Sequence, residues 1–358
     1  MPAINFKKIF IKDACPTKVG GQAVLEGIMM KGEDRTAVVV RTGGGRLHIK
    51  TERLPQRNKA AEIPIVRGVY IFVTTLISGM KTLMYSAEIL EELFEEEEEE
   101  IPASAGMTEE GAETGTEAEE EGGISFGVMI VFSVVLAIAM VVGIFIIVPT
   151  VVVNFLDGYI ANPILLNLVE GVFRIALFIV YIAAISKMKD IRTTFEYHGA
   201  EHKTIHCYES GLPLTPANAA QFETLHPRCG TSFLMFVMII ALLLFSLMGW
   251  PNLIIRIATR ILFIPVIAGL SYELLRFAGR SDSWFVKILS VPGLLLQKLT
   301  TKNPDEKELE VAIAALCAVL VPGDTPEIEG YCTDDGRLLP EENTLWGDSE
   351  LEGYDFTA

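Results

Sequence analysis

YHGAEHKTIHCYESGLPLTPANAAQFETLHPRCGTSF, residues Tyr197–Phe233, is a polar island between two long apolar segments. It holds four of the five histidines (His198, His202, His206, His226) and two of the five cysteines (Cys207, Cys229). A hydrophilic insert in such a setting reads as a loop held against a membrane, and imidazole and thiolate are the ligands that zinc prefers. Within it His198-Gly-Ala-Glu201-His202 is H-x-x-E-H. On a helix that spacing puts two imidazoles on one face with a carboxylate beside them. The first expectation is a metal site at a membrane surface.

Composition supports the membrane. Of 358 residues 50% are hydrophobic and 21% charged, and the mean hydropathy is +0.39, too apolar for an ordinary soluble chain. The formal charge of -17 is not spread evenly. Most of the acidic excess lies in Glu91–Glu121 and after Pro322, while the region up to Arg67 is basic. No basic stripe with interleaved aromatics appears, so no nucleic-acid partner is expected. Five cysteines (Cys15, Cys207, Cys229, Cys317, Cys332) form no disulfide framework and read as reduced thiols. Residues 1–16 lack the apolar core of a secretory signal.

Four apolar segments flank the polar island: Ile124–Val153, Pro163–Ser186, Thr231–Trp250 and Leu253–Phe277. Each is long enough for a hydrocarbon core of about 30 Å at about 1.5 Å per residue. Basic residues are concentrated before the first segment, between the second and third (Lys187, Lys189, Arg192, Lys203, Arg228) and after the fourth (Arg276, Arg280, Lys287, Lys298). The two remaining loops have none. With four spans every basic segment faces the cytoplasm, and so do both termini. The expected fold class is an α-helical membrane protein: four transmembrane helices, a small cytoplasmic β-rich N-terminal region and amphipathic interfacial helices.

The remaining regions follow from local pattern. Residues 1–63 are expected to be cytoplasmic and β-rich, with Thr36–Arg41 and Arg46–Arg53 as strands around a glycine hairpin at 42–45. Val19–Met30 reads as a glycine-bent strand with Gln22 and Glu26 able to face a site, and His48 as an exposed strand residue. Residues 64–93 fit an amphipathic helix in the membrane interface, because Arg67, Lys81 and Glu88 interrupt the apolar run. Residues 94–123, with the glutamate run Glu95–Glu100, read as a disordered acidic linker. Residues 124–277 form the bundle, with the His/Cys loop at 187–230. Residues 278–321 supply interfacial and cytoplasmic helices, the last (Pro304–Val321) capped at Asn303, and 322–358 form an acidic tail.

Two clusters can carry chemistry. In the first, His198 and His202 are ligands, Glu201 is a general base, and His226 and Cys229 complete the shell of a divalent metal, zinc by preference. His206 is eight residues from His198 and is set aside as a ligand. The same residues also fit a polar cluster without metal, in which they pair with Glu201, Glu209 and Arg228; Glu273 near the end of the fourth span is placed to support either arrangement. In the second, Glu170 and Arg174 lie one turn apart, as do Arg256 and Arg260, all inside spans. Charges in hydrocarbon should face inward and pair, with Glu170 meeting Arg256 or Arg260. They serve either bundle adhesion or an anion pocket.

GGQAVLEGIMMKG (Gly20–Gly32), YHGAEHKTI (Tyr197–Ile205), LHPRCGTSF (Leu225–Phe233) and PVIAGLSYELLR (Pro265–Arg276) together resemble the YqhQ-like family of bacterial membrane proteins, with similarity over roughly Cys15–Val321. The family is described as predicted metal-dependent enzymes without an established substrate. The resemblance implies a multi-pass location in the bacterial cytoplasmic (inner) membrane and a bound metal, and it falls on His198, Glu201, His202, His226 and Cys229. The leading expectation is a membrane protein with a cytoplasm-facing metal site acting as a metal-dependent hydrolase. The rival is a non-enzymatic scaffold or assembly factor that grips a protein partner, with the motif structural. Membrane lipids are expected neighbours under both, and a homo-oligomer fits either.

Overall fold

The structure is a computed structural model and describes residues 6–11, 15, 17–42, 46–55, 63–99, 126–278, 283–321, 327 and 329–332. Its elements run α1 (Phe6–Ile9), β1 (Gly20–Val24), β2 (Gly27–Lys31), β3 (Arg35–Arg41), β4 (Leu47–Arg53), α2 (Val66–Glu99), α3 (Phe126–Val142), a π-helical turn (Gly143–Ile147), α4 (Val148–Asn154), α5 (Pro163–Ile185), α6 (Lys189–Glu209), α7 (Pro216–Ala219), α8 (Thr231–Ser246), α9 (Leu253–Leu262), α10 (Ile264–Ala278), α11 (Trp284–Thr300), α12 (Glu306–Leu320) and β5 (Glu329–Cys332). The glycines 43–45, most of the acidic linker and most of the acidic tail lie outside the described residues.

The five strands form one antiparallel meander in the order β1-β2-β3-β4-β5. Val19–Met30 is not a single bent strand. It is a hairpin turning at Leu25-Glu26, with Val24 opposite Gly27 and Glu26 at φ 46°. Gly27 has to lack a Cβ, because one would sit 2.4 Å from the Val39 carbonyl oxygen. Ile28, Val39 and Ile49 pair in one row across three strands. With Met30, Ala37 and Leu47 they bury against Tyr197, Ala200 and Ile205 of α6 and Leu309, Ala312 and Leu316 of α12. The opposite face lies under α2. There His48, expected to be exposed, is buried, and its Nδ1 is 3.2 Å from Tyr85 Oη. The strand at Glu329–Cys332 arises within the stretch read as a tail.

Helix α2 is one continuous helix that runs past residue 93 to Glu99, into the glutamate run read as linker. At about 1.5 Å per residue it is about 50 Å long. It links two bodies. Near its start Gly68 meets Gly269 of α10 so closely that a Cβ would lie 2.8 Å from the Gly269 Cα, and Arg67 pairs with Glu273, Nε to Oε1 at 2.6 Å. Glu273 therefore supports α2 and not the His/Cys loop. Further along, Gly79 abuts the Gln22 side chain of β1. A separate stripe (Val66, Tyr70, Val73, Ile77, Met80, Met84) remains exposed at helical spacing.

Among the described residues two helical segments are long and apolar enough to cross a membrane, Val135–Asn154 and Pro163–Ile185. The other two expected spans differ. Helix α8 has 16 residues, about 24 Å at about 1.5 Å per residue, short of the core thickness. The fourth is bent by 44° between α9 and α10, and counts as a third candidate span only if the pair is taken as one. Buried charge ties these pieces together. Glu170 accepts Arg260 Nε at 2.6 Å and Nη2 at 2.5 Å, Arg174 Nη2 at 2.6 Å and Thr150 Oγ1 at 2.9 Å. Arg174 Nε also donates to the carbonyl of Phe145 at 2.8 Å, inside the π-helical turn, where the widened backbone spacing releases acceptors. Arg256 does not reach Glu170. It donates to Asn154 Oδ1 at 2.6 Å and stacks on Trp250, 3.7 Å from the ring centroid.

Helix α12 begins at a capping box on Asp305 and Glu308 rather than at Asn303. Burial pushes the Glu308 carboxyl up, with Asp305, Glu196 and Glu26 adding to it, to about 7. A carboxyl raised in the fold contributes stability that is full below its unfolded value of 4.5 and is lost as pH rises through about 7. The melting temperature of the wild type should therefore fall from pH 5 to pH 8, and Glu308→Gln, which keeps the cap, should flatten that slope; parallel slopes would refute it. For the bundle, Glu170→Ala leaves Arg174 and Arg260 buried without a carboxylate and should cost about 3–5 kcal/mol, read as a lower melting temperature in detergent. An unchanged melting temperature would show that Glu170 does not hold the bundle.

Candidate metal centre

Helix α6 is unusual in being polar and buried. From Tyr197 to Cys207 every residue is buried, because the sheet and α12 cover one side while the 213–233 segment and α11 cover the other. Gly199 lowers helix propensity, and its reason is spatial: a Cβ there would lie 2.0 Å from the Lys302 carbonyl oxygen. His198, His202, His206 and Glu209 recur one turn apart along the face turned to Thr224–Cys229. Lys203 pins that segment by donating to the carbonyls of Ala220 at 2.8 Å and Phe222 at 2.7 Å.

Carbonyl oxygens only accept, so each one that meets an imidazole identifies the protonated nitrogen. His198 donates from Nδ1 to Thr300 O at 2.8 Å, and His202 from Nδ1 to Thr224 O at 2.5 Å. That leaves each Nε2 as the ring nitrogen available to the interior of the group. His198 Nε2 lies 3.2 Å from Cys229 Sγ, and the potential ligand atoms of His198, His202 and Cys229 all lie within 4.8 Å of one another. His202 Nε2 is buried with no hydrogen-bond partner. Backbone carbonyls that orient imidazoles are what metal ligands need behind them, and an unpaired buried nitrogen is what an added cation would satisfy. These residues fit a divalent metal.

Before any ion binds, the electrostatics are those of an imidazolium–thiolate pair, whose His198 proton a metal would displace. Burial opposes the Cys229 thiolate, but His202 and His198 outweigh it and hold the thiol well below its ordinary value. Burial likewise opposes charge on His198, yet the Cys229 thiolate raises it to about 9. Glu201 is buried, and burial pushes its carboxyl up. Its Oε1 accepts the Gly21 amide at 2.8 Å. Gly21 can come so near only without a side chain, since a Cβ would lie 2.9 Å from Glu201 Cδ.

His226 is not in this group. It sits with His206 and Glu209 in a second one, whose potential ligand atoms are also within 4.8 Å of one another. His206, set aside on sequence spacing, thus meets a histidine from the far end of the insert. Its Nε2 donates to Leu225 O at 3.0 Å. Burial lowers His206 to about 4 and His226 to about 3. Burial opposes ionisation of Glu209, but His226, the Thr17 amide and Arg228 hold it at about 2. Arg228 grips both Glu209 oxygens, and Thr17 N donates to Oε1 at 2.8 Å. The rings touch in series, His198 to His202 at 4.5 Å, His202 to His226 at 5.6 Å and His226 to His206 at 4.6 Å between centroids.

Gln297 of α11 belongs to this site and was not singled out by residue pattern. It is fully buried, accepts His226 N at 2.9 Å and donates to His226 O at 2.9 Å. An amide among leucines on an otherwise apolar helix face was the available signal. Thr300, the acceptor for His198, acts through its main chain and leaves no trace in residue type.

Comparison with known proteins places the chain. Residues 63–321 match a family described as "Protein of unknown function (DUF1385)". The chain is 31% identical over 314 residues to the uncharacterized protein YqhQ of Bacillus subtilis (strain 168), covering 86% of this chain and 94% of that protein. No solved structure matches it. The matched region takes in the buried helix α6, the His/Cys segment and the α11 clamp, so this chain belongs to the DUF1385 family, the YqhQ-like proteins.

Proposed function

We propose that this protein is a four-span protein of the bacterial cytoplasmic membrane whose cytoplasm-facing site, His198, His202 and Cys229, holds a divalent metal and serves a metal-dependent hydrolase. The observation that carries the reading is the freed and unpaired Nε2 of the buried His202, aligned with His198 Nε2 and the Cys229 sulfur. Two imidazoles and a thiolate favour zinc. When bound, such an ion supplies Lewis-acid polarisation and activates water. The chain supplies the rest. Thr300 and Thr224 hold the imidazoles in the ligating tautomer. Glu201 is the proton-transfer group: burial raises its proton affinity, and the Gly21 amide occupies Oε1, which leaves Oε2 to take the proton. Arg228, Glu209 and Gln297 brace the segment that carries Cys229.

In this reading α8 and the bent α9–α10 pair complete the four spans, with buried charge and the bend compensating for short or broken helices. The exposed apolar stripe of α2 lies against lipid. Cys15 is exposed on the same side as the site. A membrane-impermeant maleimide should label it only after cells are permeabilised; labelling in intact cells would overturn the topology.

Elemental analysis of detergent-purified protein tests the site. Bound zinc should fall by one equivalent per chain in His202→Ala. In Glu201→Gln the metal should stay while turnover of chromogenic ester and phosphate substrates drops about 100-fold or more, the scale of lost general-base catalysis. Unchanged metal in the His202 variant would remove the ligand assignment. Full metal with no turnover by the wild type would favour the scaffold, where the metal only staples the insert.

A further inference from the structure

His206, Glu209 and His226 form a group that the first site does not use. All three are buried, and their donor atoms lie within 4.8 Å of one another. His226 Nε2 has no hydrogen-bond partner. Its neighbour is Glu209 Oε2 at 3.8 Å, longer than an ordinary hydrogen bond although close enough to help hold the Glu209 carboxyl low. Metal–ligand bonds of about 2.0–2.2 Å set neighbouring donors about 3.3–3.6 Å apart around a tetrahedral ion. The gap is thus closer to that of two donors sharing a cation than to that of a hydrogen-bonded pair.

The surroundings are built as a metal site requires. The Leu225 carbonyl fixes the His206 tautomer through Nε2 and leaves Nδ1 as its free donor. Gln297 clamps the His226 backbone on both sides. Arg228 and Thr17 orient the Glu209 carboxylate from behind, as outer partners do for ligating carboxylates. Two imidazoles with one carboxylate is a donor set that zinc and neighbouring divalent ions accept.

We propose that His206, Glu209 and His226 bind a second divalent cation, of the zinc, manganese or iron(II) class, beside the first. The His202 and His226 rings, 5.6 Å apart, make the two sites neighbours. The proposal rests on the reading of His198, His202 and Cys229 only for the two ions acting together; each site can be tested alone. A pair of adjacent ions suits a substrate with two oxygens to hold, such as a phosphate ester.

Cobalt(II) loading of the purified full-length protein separates the sites. The Cys229 site contains a thiolate and gives a sulfur-to-cobalt charge-transfer band, whereas the His206 site has only nitrogen and oxygen donors. The wild type should bind two cobalt per chain. His206→Ala and His226→Gln should each bind one and keep the charge-transfer band, which also shows that the fold survives. His198→Ala should bind one and lose the band. One cobalt in the wild type, retained with its band in both His206→Ala and His226→Gln, overturns the second site and leaves the first intact. One cobalt without the band, lost in His206→Ala, supports the second site and overturns the first.

Discussion

Each imidazole on α6 passes its N–H to a main-chain carbonyl from another segment: His198 to Thr300, His202 to Thr224 and His206 to Leu225. Those bonds let a polar helix be buried. An unmet imidazole donor in the interior costs a large part of its desolvation energy, so the helix can be covered only where a neighbouring backbone runs past with its carbonyls turned inward. The 213–233 segment and the end of α11 do so. Once they are docked, His198 and His202 are gathered with Cys229, and His206 with His226 and Glu209. Orientation of the donors and burial of the helix are therefore one structural event.

Helix α2 sets where this happens. Its first turns pack against α10 through paired glycines and Arg67–Glu273, and its later turns cover the far face of the sheet at His48 and Gln22. The edge strand β1 of the same sheet supplies the Gly21 amide to Glu201. A continuous path of packed elements thus runs from the apolar bundle to the carboxylate beside the first group. Inside the bundle, Glu170 collects two arginines and a threonine from three helices. With the carboxylate as their common acceptor, α8's short length and the bend after α9 need not expose unpaired charge.

The polar insert gathers its side chains into two groups and not into a single four-ligand shell. Cys229 and His226 are three residues apart, yet they turn to different partners because Gln297 holds the His226 backbone on α11's side while Thr231 N and Oγ1 contact the Cys229 sulfur. A nitrogen–sulfur group and a nitrogen–oxygen group result, side by side.

From residue order alone came the strands at Thr36–Arg41 and Arg46–Arg53, apolar helices within 126–153 and 163–186, a helix within 304–321, the inward pairing of Glu170, and the meeting of the polar insert's two ends. Alternation, apolar run length and ligand chemistry are local properties, and the chain displays them openly. Tertiary structure decided which donor meets which. His226 joined His206 and not Cys229, Glu273 went to Arg67, His48 was buried under Tyr85, and Gly199 was required by the Lys302 carbonyl. The reason is that these outcomes depend on backbone groups and on segments distant in sequence, such as Thr300 and Gln297, whose approach is set by packing. Main-chain acceptors carry no residue identity, so no pattern of letters could have revealed them.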